Sequence, residues 1–300
     1  MKKSSLASLP LLLLPTALVA QPNFILIMTD DQGYQDLGCF GSPDIRTPHI
    51  DALAKNGLRA TSFYASSSVC TPSRAAIQTG KYHPHVNLWN GGENTLVFYP
   101  DSPGGMSPDE VTIAEVLKPK GYACGLFGKW HLGSKKPYLP TAQGYDEFYG
   151  LPSSNDHWLP AELDIAQDVV LREGVKREDL PRLAQEGRKW RMKTVLIRGT
   201  QGIEYPADQS TLTERYFNEA ISFIDKAKAN NKPFYVCITP NMPHTPLFPN
   251  AAFAGKSARG PYGDVVEEID AKVGQLVEYL KDNALLENTV IIFISDNGPW

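Results

Sequence analysis

Apolar positions along the chain gather into short runs, and each run ends in a polar turn rich in chemistry. Residues 23–28 (NFILIM) are apolar and isoleucine-rich, as a buried strand requires, and lead directly into Thr29-Asp30-Asp31-Gln32-Gly33. Residues 122–127 deliver Gly128-Lys129-Trp130-His131, residues 234–239 run into a proline-rich turn around His244, and residues 289–295 (TVIIFIS) close on Asp296-Asn297-Gly298. Between these runs, helical spacing and glycine or proline stops predict helices over 48–56, 109–117, 210–230 and 263–283. The third of these opens on a capping-box pattern from Ser210 to Glu214. Residues 58–64 alternate like a further strand, and 195–198 read as part of a hairpin. Strands alternating with helices predict an α/β fold, and every candidate turn falls at the C-terminal end of a strand, where open α/β sheets place ligands.

The stretch 69–82 (VCTPSRAAIQTGKY) puts a cysteine at a helix start. Pro72 suits the first helical position and Gly80 a left-handed stop, which sets Cys70 beside a positive helix N-terminus with Arg74 one turn inside. That setting favours an anion or an electron-rich oxygen; a half-buried free cysteine ahead of an amphipathic helix fits the same pattern. The paired acids Asp30 and Asp31, together with Asp296 and Asn297, offer four hard oxygen ligands suited to Ca²⁺ ahead of Mg²⁺, although D-D-x-G and N-G are also ordinary turns. Lys129 and His131 straddle one residue and would share a side on an extended segment, the first suited to an oxyanion and the second to proton transfer. His244, among prolines in a rigid loop, is a candidate acid or base.

Net charge narrows the partners. At −4 over 300 residues, with no polybasic tract, nothing points to nucleic acid. Lys2 and Lys3 precede an apolar run over 9–20 that ends in small residues, as a secretory signal does, and the run is too short for a stable membrane span. The expectation is a signal peptide over 1–20, one domain over 21–300, and export to a periplasmic, secreted or lysosomal destination. The four cysteines, Cys39, Cys70, Cys124 and Cys237, leave an odd three if Cys70 is consumed, so no disulfide framework follows. Residues 164–209 are charge-rich, with Arg188, Lys189, Arg191 and Lys193 close together; they read as a solvated excursion or as an insertion that meets a polyanionic substrate.

C-T-P-S-R at 70–74, extended by AAIQTGKY, resembles the signature of the formylglycine-dependent sulfatases. Four further segments resemble the same family in order: the Asp30-Asp31 turn, GKWHLG at 128–133, PFYVCITPNMPHTP at 233–246, and the Asp296-Asn297-Gly298 turn. The arylsulfatase A-like branch is the nearest match, and GYDEFYGLPSSND at 144–156 adds Ser154, at a position that lies near the site in relatives. The resemblance implies an alkaline-phosphatase-like sandwich, a central mixed β-sheet flanked by helices. It also implies hydrolysis of an aryl or carbohydrate sulfate ester, with Cys70 converted to formylglycine (3-oxoalanine) by a maturation enzyme. Asp30, Asp31, Asp296 and Asn297 would hold Ca²⁺ together with residue 70. Arg74 and Lys129 would offset the sulfate charge, Lys129, Ser154 and His244 would contact substrate, His244 would protonate the leaving group, and His131 would accept a proton from residue 70. In relatives a further active-site lysine and a smaller C-terminal domain follow, so the C-terminal subdomain is expected to be absent before Trp300. A phosphoesterase or phosphonate hydrolase of the same superfamily, and a non-catalytic binder of sulfated glycans, fit the same segments.

Overall fold

The computed structural model describes residues 21–86, 88 and 97–299; the expected signal peptide over 1–20 lies outside them. Eight strands form one sheet in the order β4-β6-β5-β3-β2-β7-β1-β8. They are β1 (Asn23–Thr29), β2 (Ala123–Lys129), β3 (Glu147–Leu151), β4 (Asp164–Leu171), β5 (Leu196–Arg198), β6 (Gln201–Tyr205), β7 (Phe234–Thr239) and β8 (Thr289–Ser295). The strands β3, β2, β7, β1 and β8 run parallel, while β5 pairs antiparallel with both β3 and β6, so the sheet is mixed.

Alternation of side chains splits the core into two layers. Ile25, Ile27, Val236, Ile238 and Phe127 face one side, where they pack on α1 (Pro48–Asn56), α5 (Leu212–Ala229) and α6 (Gly260–Asp282) through Ile50, Phe217, Ile224, Val266 and Val273. Leu26, Cys124, Leu126 and Cys237 face the other, against Ala75 of α2 (Cys70–Thr79), Ala114 of α3 (Ile113–Leu117) and Leu183 of α4 (Leu180–Glu186). Because both faces are covered, β7 is buried at every residue and reads as a continuous apolar run. The parallel central strands bring the ends of β1, β2, β7 and β8 to one edge, which fixes the neighbourhood of Asp30, Lys129, His244 and Asp296.

Several boundaries differ from the sequence reading, each for a local reason. The helix α2 begins at Cys70, with Pro72 its third residue; first-turn N–H groups have no partner in the helix, so proline is tolerated there too. The helix α3 starts only at Ile113, because Thr112 captures the N-terminus: its Oγ1 accepts from Glu115 N at 3.2 Å while Glu115 Oε2 accepts from Thr112 N at 2.8 Å. The capping box expected at Ser210 does not form. Ser210 donates instead to Asp208 Oδ1 at 2.7 Å, Glu214 takes Lys272 at 2.7 Å, and a 3-10 turn leads into α5. Residues 58–64 are not a strand; Leu58 and Tyr64 are 92% and 85% exposed and join no sheet. The stretch 164–209 holds the hairpin strand expected at 195–198, as β5 paired with β6, and beyond that expectation also β4 and α4.

Candidate active site

The end of β1 turns sharply at Asp31, whose φ of 60° is a left-handed conformation that a non-glycine residue adopts at a cost of about 1–3 kcal/mol. His131, two residues beyond β2, has φ 62°. The backbone there is therefore a turn and not the extended segment expected, yet Lys129 and His131 are both buried. Gly128 makes the approach possible: its φ is 130°, and a Cβ there would collide with the Thr239 carbonyl of β7.

At the centre lies a buried charge cluster. Lys129 Nζ donates to Asp30 Oδ2 at 2.6 Å and lies 3.6 Å from Cys70 Sγ. Arg74 Nε donates to Asp296 Oδ2 at 2.8 Å, its Nη1 to the Lys129 carbonyl at 2.8 Å, and its Nη2 lies 3.3 Å from Asp30 Oδ1. Ligand atoms of Asp30, Cys70 and Asp296 all fall within 4.8 Å of one another. Asp31 and Asn297 are joined by Asn297 Nδ2 donating to Asp31 Oδ1 at 2.6 Å, and His244 Nε2 stands 3.6 Å from Asp31 Oδ2. The expected residues Asp30, Cys70, Arg74, Lys129 and Asp296 are thus in direct contact, and Asp31, Asn297 and His244 extend the same cluster.

Burial penalises the charges of Asp30, Arg74, Lys129 and Asp296, and the neighbours decide which form survives. Burial works against the Asp30 carboxylate, but Lys129 and Arg74 hold it well below the usual range. Burial drives Asp296 up to about 7, with Asp30 adding to the rise against the pull of Arg74. Burial also pushes the Cys70 thiol up to about 12, and the two carboxylates outweigh part of the help from Lys129. The thiol therefore stays protonated and is a poor nucleophile as it stands.

His131 and Ser154 border this cluster. His131 Nε2 meets the Phe98 carbonyl at 3.0 Å and so carries the hydrogen, which leaves Nδ1 buried with no hydrogen bond. Burial and then the Lys129 charge hold this ring neutral, well below the ordinary histidine range. Ser154 donates from Oγ to Asn155 Oδ1 at 3.3 Å and not to any group around Cys70. The sequence reading missed His157, which is buried beside His131 with ring centroids 5.4 Å apart and accepts Ser154 N–H at Nδ1 (3.3 Å). It also missed Thr71, whose Oγ1 donates to the His131 carbonyl at 3.0 Å and accepts from Phe98 N at 3.2 Å. The apolar Trp158-Leu159-Pro160 following His157 was the available sign that this loop turns inward.

A sheet sandwiched by helices, with these acids and cations gathered at its parallel strand ends, defines an α/β protein with a buried, charged site. The sulfatase family model matches residues 22–300, and the chain belongs to that family. It is 38% identical over 285 residues to arylsulfatase A of Homo sapiens, covering 94% of this chain and 53% of that protein. It is 35% identical over 283 residues to N-acetylgalactosamine-6-sulfatase of Sus scrofa, covering 92% and 50%. The chain spans about half the length of the curated relatives it matches. Among solved structures it resembles Ps i-CgsB in complex with k-i-k-neocarrahexaose, with TM-score 0.74, 32% identity, and coverage of 93% of this chain and 59% of that one. The fold extends to the phosphonate monoester hydrolase of Agrobacterium radiobacter, at TM-score 0.58 and 17% identity over 92% of this chain and 62% of that one. The expected fold class, with its mixed sheet between helices, is the one observed.

Proposed function

We propose that residues 21–300 form the sulfatase catalytic domain of an exported sulfate-ester hydrolase, in which a maturation enzyme converts Cys70 to formylglycine and Ca²⁺ is the resident ion. Membership of the sulfatase family supports action on sulfated compounds. The observation that carries the reading is the convergence of Cys70, two buried cations and the carboxylates of Asp30 and Asp296 in one cluster.

The donor set fits a hard divalent cation. Asp30 Oδ1 and Asn297 Oδ1 are buried without a hydrogen bond, and Asp296 is pushed toward neutrality without a nearby cation beyond Arg74 and Lys129. Asp30, Asp31, Asp296 and Asn297 would hold the ion beside residue 70. Ca²⁺ there supplies charge that polarises a sulfate oxygen, and hydrated formylglycine supplies an oxygen nucleophile with a second hydroxyl.

The remaining work falls to the chain's own side chains. Arg74 and Lys129 place two permanent positive charges in a water-poor site, where they stabilise sulfate oxygens more strongly than in solvent. His131 presents Nδ1 as a bare acceptor because Nε2 is held by Phe98, so it can take a proton from a hydroxyl at residue 70. His244 donates from Nδ1 to its neighbour's carbonyl, Thr245 O, at 2.5 Å, which turns Nε2 toward Asp31 and the reaction centre, where it can protonate a departing oxygen. Ser154 contributes by orienting the loop that carries His157.

Relative turnover of nitrophenyl sulfate and nitrophenyl phosphate tests this. Faster sulfate turnover by the matured chain is expected. A reversed preference would assign the site to phosphoesters, and sulfated-glycan binding without turnover by matured protein would make it a binding module.

A further inference from the structure

Beyond the reacting centre, one cation of the 164–209 region is built into the same wall. Phe98 bridges Thr71, the second residue of α2, and His131, which anchors the neighbouring Tyr99 beside the start of that helix. The Tyr99 ring lies 5.2 Å from His157 and stacks on Trp158 at 5.9 Å with only 12° between planes. Arg188 covers this aromatic pair, its guanidinium 4.9 Å from the Tyr99 centroid and 5.7 Å from that of Trp158. The segment is pinned by Met192 N donating to the Asp156 carbonyl at 2.9 Å, next to His157. Its other arginines are spent: Arg191 pairs with Asp156 at 2.5 Å and Arg182 with Glu186 at 3.1 Å. Arg188 is exposed and has no carboxylate partner among the described residues.

We propose that Arg188 is a second anion-recognising group, so that the preferred substrate is a sulfated oligosaccharide bearing a further sulfate or carboxylate on a neighbouring sugar. This rests on the sulfatase reading of the site. The stacked rings hold the planar guanidinium in place at little entropic cost while leaving its N–H edge open to an oxyanion. Ring-to-ring contacts from His131 through His157 and Tyr99 place it on the same side of the molecule as the reacting centre, within reach of a substrate that extends from residue 70 in that direction.

Titration calorimetry of the full chain and its Arg188→Gln variant tests this with three disaccharides: one monosulfated with a neutral neighbour, one with a sulfate on each sugar, one monosulfated with a uronate neighbour. The chain is expected to bind one or both doubly anionic probes about tenfold tighter than the first, as one charge-assisted hydrogen bond supplies. Whichever probe gains identifies the second anion. Arg188→Gln should erase the preference without changing monosulfate affinity, and Arg188→Lys should restore only part of it because it cannot stack as a plane. Equal binding of all three by the unaltered chain, or equal weakening of all three in Arg188→Gln, would overturn the proposal. Nitrophenyl sulfate turnover, followed in parallel, should be unchanged in Arg188→Gln; a drop would overturn the proposal by placing Arg188 on the reacting group. Preference for the second anion with no turnover by matured protein would instead remove the sulfatase reading and leave the anion site standing.

Discussion

Arg74 holds two acids at once, Asp296 through Nε and Asp30 through Nη2, and caps the end of β2 through the Lys129 carbonyl. Truncating one partner of a buried ion pair leaves the others uncompensated, so Arg74→Gln should lower unfolding free energy by about 3–5 kcal/mol, read from urea denaturation. His157 governs a pH effect of opposite origin. Burial, only partly offset by Asp156, lowers it to about 3. Above the ordinary histidine range near 6.5 neither state binds this proton, and below it the unfolded chain takes up a proton that the folded ring refuses. Stability should therefore fall by up to about 1.4 kcal/mol per pH unit between roughly pH 6 and pH 4 on account of this residue. Denaturation curves across that window should show a shallower acid-side slope in His157→Gln. At this scale the charged members of the cluster were legible because their chemistry is carried by residue type. His157, Tyr99 and Thr71 were not, since a buried histidine or a bridging threonine differs from a loop residue only by what folds over it.

The element that sets the site's precision is the end of β2. Gly128 sits against the Thr239 carbonyl with a positive φ, and Lys129 follows immediately. Gly128→Ala should separate β2 from β7 and shift Lys129, costing stability of about 1–3 kcal/mol by thermal or chemical unfolding. The apolar runs that became β1, β7 and β8 were readable because each is buried on both faces or terminates in a distinctive turn. Residues 58–64 alternate instead, but they pair with neither edge of the sheet, and period alone does not supply a partner. Of the hairpin, the β5 side was readable in the apolar stretch at 195–198, whereas its partner β6, which opens on Gln201 and carries Gly202 and Glu204, was not.

On the scale of the molecule, the acids and amide proposed as ligands, drawn from residues 30 to 297, become neighbours only when the parallel strands assemble, so binding of a cation there would be linked to folding. Ca²⁺ at about a hundredfold above its Kd should stabilise the chain by about 2.7 kcal/mol, reversed by chelator, and the effect should vanish in Asp30→Asn. Fluorimetric melting with and without the ion checks this independently of activity. Everything proposed for catalysis turns on Cys70: its protonated thiol, buried between acids and cations, would be the precursor of the nucleophile and not the nucleophile itself. The direct measurement is peptide mass spectrometry across residues 61–81 after production with a formylglycine-generating enzyme. An aldehyde in place of the thiol at Cys70 is expected, and an intact thiol under conditions that convert a control sulfatase would contradict that role for Cys70.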